Sequence, residues 1–138
     1  MIRFRFPLAA LACLLIAAPA AEAKRHHQAP AGPSNNIIVK LLNDHYLGDD
    51  PINYPTTKYT FTVHKVSRGA ARLGNHWADG TPPHTKTTVF PVHATSTRTM
   101  EYDGSRTVTD YDAKYVFFKD EFHEWTFTIK SEHSTISH

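Results

Sequence analysis

The chain has 138 residues, 41% of them hydrophobic, with 15 basic and 13 acidic side chains and a formal net charge of +2. That length suits one domain. The near-neutral balance excludes a strongly basic nucleic-acid binder, and the length excludes a multidomain enzyme or a channel.

The elements follow in chain order. Met1-Ile2-Arg3-Phe4-Arg5 is a basic start, Pro7 to Ala20 is an uncharged apolar run, and Ala21-Glu22-Ala23 is a small-x-small cleavage signal. Residues 1–23 are therefore expected to be a secretory signal peptide, cleaved after Ala23. The run is too short and too Ala-rich for a transmembrane span. The expected localisation is secreted or periplasmic, with no membrane association after cleavage. Cutting there removes Arg3, Arg5 and Glu22, which leaves 13 basic against 12 acidic residues. The one cysteine, Cys13, leaves too. The remaining chain then has no thiol for a disulfide, a nucleophile or a zinc ligand. Its stability must come from an apolar core, which about 115 residues can supply.

Residues 24–33 show no apolar period and read as a flexible leader. Ser34 is a good helix N-cap, because its hydroxyl accepts from an otherwise orphaned backbone N–H. Ile38, Leu41, Leu42, His45 and Tyr46 then recur at helical spacing until Gly48 offers a stop. A helix of this length is marginal alone, so its apolar stripe must be buried. The stretch from Gly48 to Pro55 reads as loop.

From Thr57 the period becomes two: Tyr59, Phe61 and Val63 alternate with Thr60, Thr62 and His64. The long connection from Gly69 to Pro83 is expected to hold a short helical turn or to cover a sheet edge, with Trp77 as its anchor. Further strands are expected over Thr87–Met100, Thr107–Phe118 and from Phe122 or His123 to Ser131, leaving 132–138 as a flexible tail. Asp103-Gly104 is a two-residue hairpin signal. It pairs Phe90 with Phe117, Val92 with Tyr115, Ala94 with Ala113 and Ser96 with Tyr111, so apolar residues meet apolar residues. An odd loop within Lys119–His123 would bring Trp125, Phe127 and Ile129 opposite Phe117, Tyr115 and Ala113. The other face is polar, with Asp112 opposite Lys130. The expected fold class is α+β: one N-terminal amphipathic helix packed on a four-stranded antiparallel β-meander, forming a single domain over 34–131.

That order of elements, with the strand stretches Thr88-Val89-Phe90-Pro91-Val92 and Tyr115 to Trp125, resembles the cystatin-like architecture. It also resembles small secreted members of the nuclear-transport-factor-2-like (NTF2-like) superfamily. The resemblance implies a two-layer fold in which a curved sheet wraps the helix and can enclose a ligand. Enzymes of that superfamily place an Asp or His acid–base pair inside the cone. Here the inward strand positions hold no Asp, Glu or His, which argues against such catalysis.

The candidate sites follow from this layout. Toward the Asp103 end the inner face carries Ser96, Arg98 and Tyr111, while Tyr59 and Tyr115 add hydroxyls and the helix brings His45 and Tyr46. Tyr59, Arg98, Tyr111, Tyr115 and His45 are the candidate ligand-binding residues. No catalytic residue is expected: Asp110 and Asp112 share an open face, and no nucleophile or phosphate-loop motif occurs. All ten histidines follow the signal region. They make weak metal binding or a response to acid conceivable, but their spacing matches no metal motif, so no metal site and no cofactor are expected. The leading function is an exported, non-catalytic module that binds a protein, a peptide or a small ligand. It would use the open sheet face, the strand edge from Tyr59 to Lys65, or a shallow inner cavity. The alternatives are a small NTF2-like enzyme or carrier with a cavity between helix and sheet, and a histidine-rich, weakly metal-binding or acid-responsive protein. The sequence is silent on partner identity and oligomeric state.

Overall fold

The computed structural model describes residues 29–138. The expected signal peptide and the first leader residues, 24–28, lie outside the described residues.

The protein is mixed helix and antiparallel sheet, an α+β fold. Its elements in order are α1 (Asn35–Leu47), α2 (Asp50–Asn53), β1 (Lys58–Arg68), β2 (Arg72–Leu73), α3 (His76–Asp79), β3 (Thr88–Tyr102), β4 (Ser105–Lys119) and β5 (Trp125–Ser137). The strands lie in the order β1-β3-β4-β5, with β2 continuing the β1 side against the start of β3. Ser34 caps α1 by accepting from the Ile37 amide, and Gly48 closes it with its amide on the Asp44 carbonyl.

The β3–β4 hairpin has the register that its turn dictates. Asp103 and Gly104 both take positive φ, 48° and 75°, the geometry that matches the twist of paired strands. Phe90 lies opposite Phe117, Val92 opposite Tyr115 and Ala94 opposite Ala113. Ile38 and Leu42 of α1 sit fully buried on this face, with Val92, Ala94, Ala113, Tyr115 and Phe117. Each such large side chain contributes about 1.5–3 kcal/mol by leaving water.

The β4–β5 hairpin departs from expectation. Its loop has five residues, 120–124, closed by the Asp120 amide on the Glu124 carbonyl and the His123 amide on the Asp120 carbonyl. Phe127 therefore faces Phe117, Ile129 faces Tyr115, and Trp125 faces Lys119. This is the expected face slid by two residues, so Trp125 lies at the end of the sheet rather than over Phe117. Lys130 is an extra residue in the register between Lys114 and Tyr115. Asp112 consequently faces His133, not Lys130. β5 also continues to Ser137, past the expected strand end at Ser131. A matching bulge at His64 in β1 turns Val66 back toward the core.

The connection 69–87 crosses the outer face of the sheet and buries a second, smaller cluster, Val89, Val116 and Phe118. Trp77 does not anchor it: the indole is 92% exposed. The anchor is Asp79, fully buried. Its carboxylate accepts two bonds from the Arg72 guanidinium, at 2.7 and 2.8 Å, and one from the Asn75 amide at 2.9 Å. A polar side chain can hold a segment down in this way because every acceptor site is satisfied on burial. The approach is close enough at Gly74 to require glycine: a Cβ there would lie 2.6 Å from both Thr81 Cγ2 and Val89 Cγ1.

Candidate functional site

The inner face has two ends, and they differ. At the Asp103 end the sequence-derived residues are engaged mainly by Tyr46 of α1 and by Asp50. Tyr46 of α1 stacks on Phe61 at 4.9 Å and tilts against Tyr111 at 4.5 Å. Its hydroxyl lies 2.8 Å from that of Tyr115 and donates to the Glu132 carboxylate. This corrects the expectation of no acid on the inward strand positions: the bulge at Lys130 puts Glu132 opposite Ala113, on the core face. Burial, with Glu132 and Tyr115 adding to it, holds the Tyr46 phenol far above the ordinary value. Burial also raises that of Tyr115. Arg98 donates to the Asp50 carboxylate, and its guanidinium lies 5.2 Å from the centre of the Tyr59 ring. His45 is exposed and reaches the group only edge-on, through Tyr46 and Phe127. The structure thus joins Tyr111 and Tyr115 around Tyr46, and Tyr59 with Arg98, as packing partners. Two buried polar atoms remain without a protein partner there, Ser96 Oγ and Arg98 Nε.

At the opposite end α1 does not cover the sheet, and an aromatic-floored cleft of about 610 Å³ opens there. Its floor is Phe90 and Trp125, whose rings meet edge-to-face at 5.6 Å. One wall is the leader segment Pro30-Ala31. Gly32 lies so close to Phe90 that a Cβ would come 2.9 Å from the ring, and Pro33 is buried, its carbonyl accepting from Arg68 at 2.7 Å. The far wall is the return from the outer-face crossing, with Pro82 and Lys86. The rim is the β4–β5 loop with Lys119, Asp120, Glu121 and His123.

Each rim group has a distinct role. Lys119 Nζ lies 5.4 Å from the centre of the Trp125 ring, a cation–π position. Asp120 is spent on the loop itself, accepting from the Phe122 and Glu124 amides at 2.9 Å each. His123 takes a positive φ of 62°, and His84 on the opposite loop one of 60°. Such backbone costs about 1–2 kcal/mol for a residue with a Cβ and concentrates where loops are shaped for binding. Reading the sequence alone missed Phe90 and Trp125 as site residues because it put Trp125 two positions deeper. The available signal was the aromatic that opens the last strand, directly after a charged five-residue loop.

The outer face past Lys114 is polar. His93 Nε2 lies 2.6 Å from the Asp112 carboxylate, and His64 Nε2 lies 2.6 Å from Thr97 Oγ, which donates to Asp110 at 2.6 Å. Among the described residues no three His, Asp, Glu or Cys side chains form a group that could hold a metal ion.

Comparison with known proteins gives no match: no family model, no curated sequence and no solved structure is similar to this chain.

Proposed function

We propose that the chain is an exported, non-catalytic binding module, built as a helix laid on an antiparallel meander in a cystatin-like or NTF2-like two-layer arrangement. Its ligand is a small molecule or short peptide segment bearing a ring, seated on Phe90 and Trp125. The observation that carries this reading is the cleft of about 610 Å³, inside the range of about 300–1,000 Å³ typical of ligand sites. Aromatic and prolyl walls supply apolar area at low entropic cost, and Lys119, His123 and Lys86 supply a few polar groups at the rim. The reading is further supported by the Asp103 end, where phenols and Arg98 are engaged in packing.

The test uses the two tryptophans separately. Trp77→Phe leaves Trp125 as the only indole. Ring-bearing fragments and aromatic or prolyl dipeptides are then titrated against its emission and against the melting temperature. Binders are expected to shift both and to weaken with Lys119→Ala, which leaves the core intact. If no member of the set changes either signal, the cleft is not a binding site. Export is checked by mass spectrometry of the exported fraction, where a mature chain beginning at Lys24 is expected.

A second reading, the small-ligand carrier, is favoured by the unpartnered Ser96 Oγ and Arg98 Nε. A buried polar atom without a partner costs about 1–3 kcal/mol. If a small polar ligand seats there, Ser96→Ala abolishes its binding. If the hydroxyl serves nothing, the same substitution leaves stability unchanged or raises it.

A further inference from the structure

We infer a second binding site on the outer face, for a small amphipathic anion: one carboxylate, sulfonate or phosphate head with a short apolar body. It is separate from the aromatic cleft and does not rest on that proposal. Between the crossing segment and the sheet lies an open groove of about 420 Å³, lined by Arg68, Arg72, Lys114 and Lys130 over an apolar floor that includes Pro91 and Val116.

The charge around this cleft is one-sided. No carboxylate residue lines it. Asp79 is the acid nearest to two of its cations, but it is fully buried and turned to the guanidinium of Arg72 at 2.7 Å and the ammonium of Lys130 at 3.5 Å. Arg72 donates sideways to Asp79 and the Leu73 carbonyl, and Lys130 to the Ala78 carbonyl. One buried carboxylate therefore balances two cations. Lys114 forms no ion pair among the described residues. His93, at the margin, is tied to Asp112 on its far side. Arg68 also lines the cleft, its guanidinium donating to the uncharged Pro33 carbonyl and Asn35 Oδ1. About three positive charges are therefore left over around the groove, on a chain whose whole net charge is only +2.

That distribution selects the ligand class. A purely apolar molecule would desolvate lysine heads without compensation. A bare inorganic anion would leave the half-buried Pro91 ring at the floor wet. A head paired with Lys114 and Lys130 and a body on the floor satisfies both. The rigid placement helps: Lys130 is the bulged residue of β5, and its ammonium is fixed by Ala78 and Asp79 rather than free to wave.

The probe is 1-anilinonaphthalene-8-sulfonate, followed by fluorescence, with octanoate, octanol and sodium sulfate as competitors. One saturable site is expected. Octanoate should displace the dye; octanol and sulfate at equal concentration should not. Lys114→Gln should weaken octanoate about fivefold, and Lys114→Glu more, because an exposed unpaired lysine leaves the fold unchanged while an anion loses a partner. Amide shifts should map to Arg72, Lys114 and Val116, not to Phe90 and Trp125. Equal displacement by octanol, unchanged affinity in both Lys114 variants, or shifts confined to Phe90 and Trp125 would overturn the assignment.

Discussion

Asp79→Asn isolates the device that holds the outer-face crossing. The substitution keeps the shape and volume of the side chain and removes its charge. One oxygen can still accept, but the new NH2 must point at either the Arg72 guanidinium or the Asn75 amide, both of them donors. Arg72 is half-exposed and can be rehydrated, so the full cost of stranding a buried charge, about 3–5 kcal/mol, does not apply. What is lost is a charge-assisted bonding pattern worth about 1.5–3 kcal/mol, or roughly 10 °C in melting temperature for a domain of this size. The Arg72 fork, with the Asn75 amide adding to it against burial, holds the Asp79 carboxyl far below the ordinary carboxylate range. A depressed acid adds stability above its unfolded value, about 3.9, and loses it as pH falls toward the folded value. The difference between wild type and Asp79→Asn should therefore be constant above about pH 5 and shrink below about pH 4. Urea unfolding followed by far-UV circular dichroism at several pH values measures it. Exchange of the Gly74 amide, which donates to Thr87 at 2.8 Å, reports the crossing locally. A difference below about 0.5 kcal/mol, or one as large at pH 2.5 as at pH 7, would show that Asp79 is not the anchor.

The remaining predictions concern separate parts of the fold. In a spectrophotometric titration, Tyr46 and Tyr115 should stay protonated above the ordinary phenol value. Because both folded values are raised, the stability they contribute is complete below the unfolded phenol value of about 10 and is lost above it. His123→Gly should stabilise the protein by up to about 1 kcal/mol in thermal unfolding, since glycine takes positive φ without a Cβ clash. An unchanged or lower melting temperature would mean that the imidazole itself holds the loop. Truncation after Ser131 should cost about 1–3 kcal/mol and speed amide exchange near Ala113, because it removes half of the last strand and the Glu132 partner of Tyr46. A flexible tail would leave both unchanged.

The legible parts of the sequence were those set by local chemistry. Ser34 and Gly48 bound α1, and Asp103-Gly104 sets the register of β3 on β4, because a cap and a two-residue turn each admit few conformations. The α+β class followed from the change of period at Thr57. The parts that were hidden depend on contacts distant in sequence. The placing of the β4–β5 loop at 120–124, one residue later than expected, is held by the Asp120 side chain, and it moved Trp125 to the sheet's end. The bulge at Lys130 has no mark in the sequence, although its counterpart at His64 has one: apolar spacing lengthens from two, at Phe61 and Val63, to three at Val66. Trp77 looked like an anchor because large apolar residues usually are. Asp79 was overlooked because carboxylates seldom are, and only the fold brings Arg72, Asn75 and Lys130 around it.

The bulges at His64 and Lys130 sit on the two outermost strands of the sheet. A foreign strand laid along either margin would stay in hydrogen-bonding phase for only part of its length before the extra residue threw it out of step. Among the described residues both sheet borders are thus kinked against runaway stacking of one copy on another. Deleting His64 and Lys130 together would straighten those borders, and the expected result is a protein that grows ribbons where the parent does not.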